Sequence, residues 1–125
     1  MAAKSIGVGD PAMPNGSGVV IQRILAASGI MGAINDKVKV VGLDPGQEMI
    51  AKGELELGLM NASEVRRFVK FAGPVPAPLQ DYTNYEAAIT TKGSAADAAT
   101  ALVQMIVSEG AAQHWKAARM EPSAK

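Results

Sequence analysis

Short apolar runs alternate with longer stretches of helical periodicity along the first half of the chain. In one of the longer stretches the apolar residues recur every three or four positions, which predicts a helix over 18–27. Ser17 is suited to be its N-cap and Gly29 to be its C-terminal cap, and a further helical turn is expected over 30–35. The short apolar runs are typical of strands and lie at 5–9, 37–43 and 55–60.

A second helix start is predicted between the last two of these strands. Asp44 is a suitable N-cap, Pro45 suits the first helical position, and Gln47 stands three residues after the cap, as in a capping box. This helix should stop at Gly53. A short helix is expected over 63–68, after the third strand.

Prolines at alternate positions interrupt the pattern over 73–78 and favour an extended segment. Beyond them the pattern predicts a strand over 82–91, an apolar helix over 95–107 capped by Ser94 with Asp97, and a last helix from Ser108 to about 120. Alternating strands and helices indicate an α/β fold of three layers, in which helices flank a mixed, mostly parallel sheet.

The composition limits the classes of function that the chain can serve. The length of 125 residues suits one domain over 1–125. The 12 Lys and Arg residues balance the 12 Asp and Glu residues, and no stretch is strongly basic. This charge distribution argues against a nucleic-acid partner. The absence of cysteine excludes a disulfide framework and a thiol nucleophile. No apolar run approaches the roughly 18–20 residues of a membrane span, so the chain is not expected to be embedded in a membrane.

No catalytic set is indicated by the sequence. His114 is the single histidine, and neither a second histidine nor a cysteine accompanies it as a metal ligand. No Ser–His–Asp order and no pair of carboxylates suggests a reaction. We therefore expect a protein that is not an enzyme and that needs no cofactor.

A glycine-rich turn separates the first strand from the first helix, and it contains Gly9-Asp10-Pro11 and Asn15-Gly16-Ser17-Gly18. A helix start leaves backbone N–H groups unpaired and is partly positive, and glycines let the backbone approach a ligand closely. Such a turn can hold an anion. A tight strand-to-helix connection without a ligand is the other use of this pattern.

The two parts of this turn are followed along the chain by the segments 51–59, 61–65 and 108–113. The order of these segments resembles the C-terminal half of a periplasmic solute-binding protein of the molybdate-binding, type II family. The resemblance extends from about Ile6 to Glu121. It equates 5–86 with the second lobe of that family and 87–125 with a C-terminal strand and helices.

The resemblance implies non-catalytic capture of a small oxyanion or organic anion for an ABC transporter permease. It also implies a periplasmic location, although the start of the chain lacks the apolar core of an export signal, which leaves a cytoplasmic location open. By position, the anion contacts would be Ser17 and Gly18 at the first helix start, Leu43 or Asp44 at the second, and Asn61 after the third strand. Alternatively, the Asp44 side chain could cap its helix without contacting a ligand, and Asn61 could bond nearby backbone groups instead of a ligand.

The family's first lobe, expected before Ser5, has no counterpart in this sequence. The C-terminal helices would then lack their usual partner for the apolar residues Leu102, Val103, Met105, Ile106 and Trp115. A large exposed apolar patch tends to find a partner surface. Either these helices fold back on the single lobe or two chains cover each other, and we expect a homodimer. The alternative function is a stand-alone homodimeric interaction domain that keeps the fold without a ligand.

Overall fold

The computed structural model describes residues 3–13 and 16–121. Asn15 of the glycine-rich turn lies outside the described residues. The chain divides into two compact units, of which the first ends at Thr83 and the second begins at Asn84. The two units are described in turn.

The first unit is built on three short parallel strands: β1 (Ile6–Val8), β2 (Val38–Val40) and β3 (Leu57–Leu59). The strand order is β2-β1-β3, and Ile6 lies opposite both Val38 and Leu57. All three residues of the central strand are buried. This arrangement confirms the α/β prediction, and within the described residues the sheet is entirely parallel.

Three helices accompany this sheet: α1 (Gly18–Ser28), α2 (Met31–Ile34, continued by a 3-10 turn over Asn35–Lys37) and α3 (Leu43–Ala51). The core consists of Ile6 and Val8 from β1 packed with Ile21, Ile24 and Leu25 of α1. These α1 residues follow the spacing of one helix face, as the sequence predicts. Gly29 and Gly53 have φ of 70° and 77°, a left-handed conformation that favours glycine, and they end α1 and α3 as expected.

The predicted capping box of α3 is wrong. The helix begins at Leu43 with Gly42 as its N-cap, so Asp44 lies inside the first turn. Asp44 pairs with Arg66 instead of capping, and the Gln47 side chain is fully buried. Ser17 does occupy the N-cap position of α1, but its side chain makes no capping hydrogen bond.

The chain after β3 contains less regular structure than the sequence predicts. In place of a helix over 63–68 there is one 3-10 turn, Ala62–Glu64, and a similar turn covers Ala77–Leu79 after the extended proline segment. The strand expected over 82–91 is absent. Tyr82 and Tyr85 are more than half exposed, so this segment has no buried face to define a strand register.

The second unit contains α4 (Ala96–Ile106) and α5 (Glu109–Ala117), which confirms the two predicted helices. The predicted cap of α4 is wrong, because Ala95 rather than Ser94 precedes it. The Trp115 Nε1–H donates to the Ile106 carbonyl over 2.8 Å and ties α5 to the end of α4. Leu102, Met105 and Val107 are each more than half exposed.

No single helix in the described parts of the chain is long and apolar enough to cross a membrane. One pair of segments, Gly18–Ser28 with Met31–Lys37, meets the length and composition test together but is bent by 112°.

Candidate functional site

A cavity of about 360 Å³ opens in the first unit, at the carboxyl ends of the three parallel strands. The segments that follow β1, β2 and β3 all contribute to its lining, together with the starts of α1 and α3. The carboxyl ends of parallel strands meet at one edge of a sheet, and α/β proteins place their ligands at that edge. The cavity is therefore the candidate binding site.

Glycines bring the start of α1 close to the end of β1. A Cβ atom on Gly18 would lie 2.6 Å from the carbonyl carbon and oxygen of Asp10, and 2.7 Å from the Gly9 carbonyl oxygen. Because those atoms belong to the backbone, no side-chain rotation could relieve the clash. Gly18 thus fixes the approach of the first helix to the strand end, although it does not itself line the cavity.

Ser17 is the buried polar residue at this helix start. It is 5% exposed and lines the cavity, and its carbonyl oxygen accepts the Ile21 N–H over 2.9 Å. Its hydroxyl makes no capping hydrogen bond at the start of α1. Because the residue lines the cavity and its hydroxyl does not cap the helix, this group is available to bond a ligand.

The start of α3 forms a second side of the cavity through Gly42 and Leu43. The first N–H groups of a helix have no partner within it, so the Leu43 and Asp44 amides add positive potential there. The Asp44 side chain is absent from the lining and accepts bonds from Arg66 Nη2 at 2.9 Å and Nε at 3.1 Å. A solvent-exposed pair of this kind contributes little stability.

On the third side, after β3, the polar residue that lines the cavity is Glu64 rather than Asn61. The Asn61 backbone N–H and Nδ2 both donate to the Glu64 carboxylate over 3.2 Å, and Asn61 Oδ1 accepts from Thr83 Oγ1 over 3.3 Å. Asn61 is thus occupied by local bonds. Its role as a ligand contact stays a prediction.

Gln47 anchors the segment that carries Glu64. Its Nε2 donates to the Glu64 carbonyl over 3.2 Å, and its Oε1 accepts the Arg66 N–H over 2.7 Å. The side chain is 0% exposed. The sequence pattern predicts that Gln47 takes part in a helix cap. The only contrary indication is that Gln47 lies on the face of α3 that the structure shows to be buried.

The charged side chains that line the cavity are both acidic. They are Asp10, whose Oδ1 accepts the Ala12 N–H over 2.8 Å, and Glu64. No lysine, arginine or histidine belongs to the lining as far as the described residues define it. The remaining side chains are mainly apolar, and positive potential comes from backbone N–H groups alone. The side-chain lining includes Met13, Leu43, Ile50, Leu59 and Met60.

Comparison with known proteins agrees with this architecture. The sequence model of a family described as bacterial extracellular solute-binding protein matches residues 2–120. An aconitate isomerase from a Pseudomonas species is 28% identical over 123 residues, which cover 96% of this chain and 45% of that protein. The chain thus spans less than half the length of this relative. No solved structure matches the chain significantly.

Proposed function

This chain belongs to the family of bacterial extracellular solute-binding proteins, and on that premise we propose that its first unit binds a small anion. The observation that carries the proposal is Ser17, a buried residue that lines the cavity and whose hydroxyl makes no capping hydrogen bond. It lies at the start of α1, and the start of α3 lines the same cavity. Helix starts and hydroxyl groups together are suited to bind negative charge.

The solute would be captured without catalysis and passed to an ABC transporter permease in the periplasm. A molybdate-like oxyanion is the ligand that the resemblance to type II binding proteins favours. The related aconitate isomerase is named for an organic acid, which supports an organic anion as the other ligand class. Neither class requires a cofactor.

A homodimeric interaction domain is the second candidate function. Leu102, Met105 and Val107 are 52%, 62% and 64% exposed, and exposed apolar side chains favour association. A domain of this kind would form a stable dimer and would not respond to anions. Light scattering on the purified chain measures the dimer, and thermal unfolding measures the response.

The Ser17→Ala variant is expected to bind the anion about ten- to a hundredfold more weakly. A hydrogen bond to a charged group contributes about 1.5–3 kcal/mol, which corresponds to that range of affinity. Thermal unfolding with molybdate, tungstate, sulfate, phosphate and small carboxylates identifies the ligand, since an anion at a hundred times its Kd stabilises the fold by about 2.7 kcal/mol. Calorimetric titration of the variant then measures the loss.

Ser63→Ala is the matched control, because Ser63 is exposed, belongs to the same unit and does not line the cavity. It should bind as the natural chain does. An unchanged affinity of Ser17→Ala for the anion would show that the hydroxyl does not contact the ligand. A flat response of the natural chain to every anion would overturn anion binding and favour the interaction domain.

A further inference from the structure

The lining of the cavity restricts the kind of anion that it can hold. We propose that the solute is a monocarboxylate with an apolar body of several carbons, an inference that rests on the proposed function of anion binding. Three properties of the cavity carry it: its size, its apolar walls and its acidic side chains.

The size of the cavity exceeds what a bare oxyanion would fill. A single water needs only about 10–15 Å³ of such space, so a cavity of 360 Å³ is much larger than a small inorganic ion requires. Pockets for organic ligands begin at about 300 Å³. A tetrahedral inorganic anion would leave most of this space to water.

Apolar side chains of the lining would surround the hydrocarbon part of the solute. The Ile50 Cδ1 and Met60 Cε atoms would lie 2.6 Å and 2.9 Å from a Cβ on Gly58, so both side chains cover this glycine of β3. Leu43 lines the cavity at the start of α3 and is 39% exposed. Such walls bind hydrocarbon because water leaves both surfaces. An inorganic oxyanion would gain nothing from them.

The polar groups suit one negative charge and disfavour a second. Ser17 supplies one hydroxyl that does not cap its helix, at the start of α1, where the helix end carries about half a positive charge. Asp10 and Glu64 also line the cavity, and no cationic side chain of the described lining compensates them. A second carboxylate on the solute would be repelled by these groups. The monocarboxylate is therefore preferred over dicarboxylates and tricarboxylates.

The test is calorimetric titration of the purified chain with acetate, butyrate, hexanoate, succinate, molybdate and sulfate. Each methylene that enters an apolar site strengthens binding up to about fourfold. We expect the Kd to fall about two- to fourfold per methylene, so that hexanoate binds at least tenfold more tightly than acetate. Succinate is expected to bind at least tenfold more weakly than butyrate, which has the same number of carbons.

The Leu43→Ser variant tests where the apolar body binds, and its readout is the ratio of hexanoate to acetate affinity. We expect this ratio to fall at least threefold. Val19→Ser is the matched control, because Val19 is an equally exposed apolar residue in the first turn of α1 that does not line the cavity. The ratio should stay the same in that variant.

Two outcomes would overturn the inference and leave anion binding in place. One is binding of molybdate, sulfate or succinate at least as tight as that of hexanoate. The other is an unchanged affinity ratio in Leu43→Ser. Failure of every anion to bind would instead contradict the proposed function itself, so the two failures are distinguishable.

Discussion

The Gly18→Ala variant is expected to lose about 3 kcal/mol of the free energy of unfolding, the upper part of the range for overpacked positions. A Cβ at this position would lie within 2.6–2.7 Å of backbone atoms of Gly9 and Asp10. Backbone atoms cannot rotate away, so the start of α1 must move off the end of β1. That movement would also displace Ser17 from the cavity.

Gly32→Ala is the control for this prediction. Gly32 is exposed within α2, and a Cβ there would meet nothing within 4 Å. Alanine restricts the unfolded chain more than glycine does, so this variant should be neutral or more stable by up to about 1 kcal/mol. Urea unfolding followed by circular dichroism compares the two. Equal midpoints would contradict the close approach of α1 and β1.

The sequence predicts well those features that depend on local chemistry. The three strands and α1 follow from apolar spacing, α3 follows from the helix-start signals at Asp44 and Pro45, and the ends of both helices follow from Gly29 and Gly53. Two walls of the cavity are helix starts next to strand ends. They could be anticipated because the glycine-rich turn and the segment at Leu43 both carry helix-start signals.

What the sequence does not predict depends on contacts between distant segments. Glu64 lines the cavity because Gln47, 17 residues earlier, bonds its carbonyl oxygen, and no local pattern records that contact. Asp44 bonds Arg66, 22 residues away, so its N-cap preference is overridden. The strand expected over 82–91 fails for the same reason, since apolar residues there make a strand only when a neighbouring strand pairs with them.

The position of Gln47 explains how an unstructured segment can form part of a binding site. Beyond the 3-10 turn Ala62–Glu64, the chain near the cavity forms neither a helix nor a strand, and the Val69 N–H donates to the Arg66 carbonyl in a turn. The two bonds of the Gln47 side chain tie this segment to α3, on both sides of Val65. Stability of the fold and placement of Glu64 are therefore coupled through one buried amide.

The Gln47→Leu variant is accordingly expected to lose roughly 2–5 kcal/mol of the free energy of unfolding. Leucine keeps most of the side-chain volume but leaves the Glu64 carbonyl and the Arg66 N–H, whose bonds are part-buried, without this partner, and a polar group removed from water without a partner costs about 1–3 kcal/mol. Urea unfolding measures the loss. Hydrogen exchange should show the largest change in protection at the Arg66 amide, because its bond to Gln47 is removed.

Gln22→Leu provides the matched control, since Gln22 is an exposed residue of α1 and the same substitution there should change stability by less than about 0.5 kcal/mol. A Gln47→Leu variant as stable as this control would show that water or a shifted segment satisfies the two backbone groups. In that case the placement of Glu64 would not depend on the amide. A selective loss of stability at position 47 would instead show that α3, which contributes a helix start to the cavity, also holds the Glu64 segment in place through the buried Gln47 side chain.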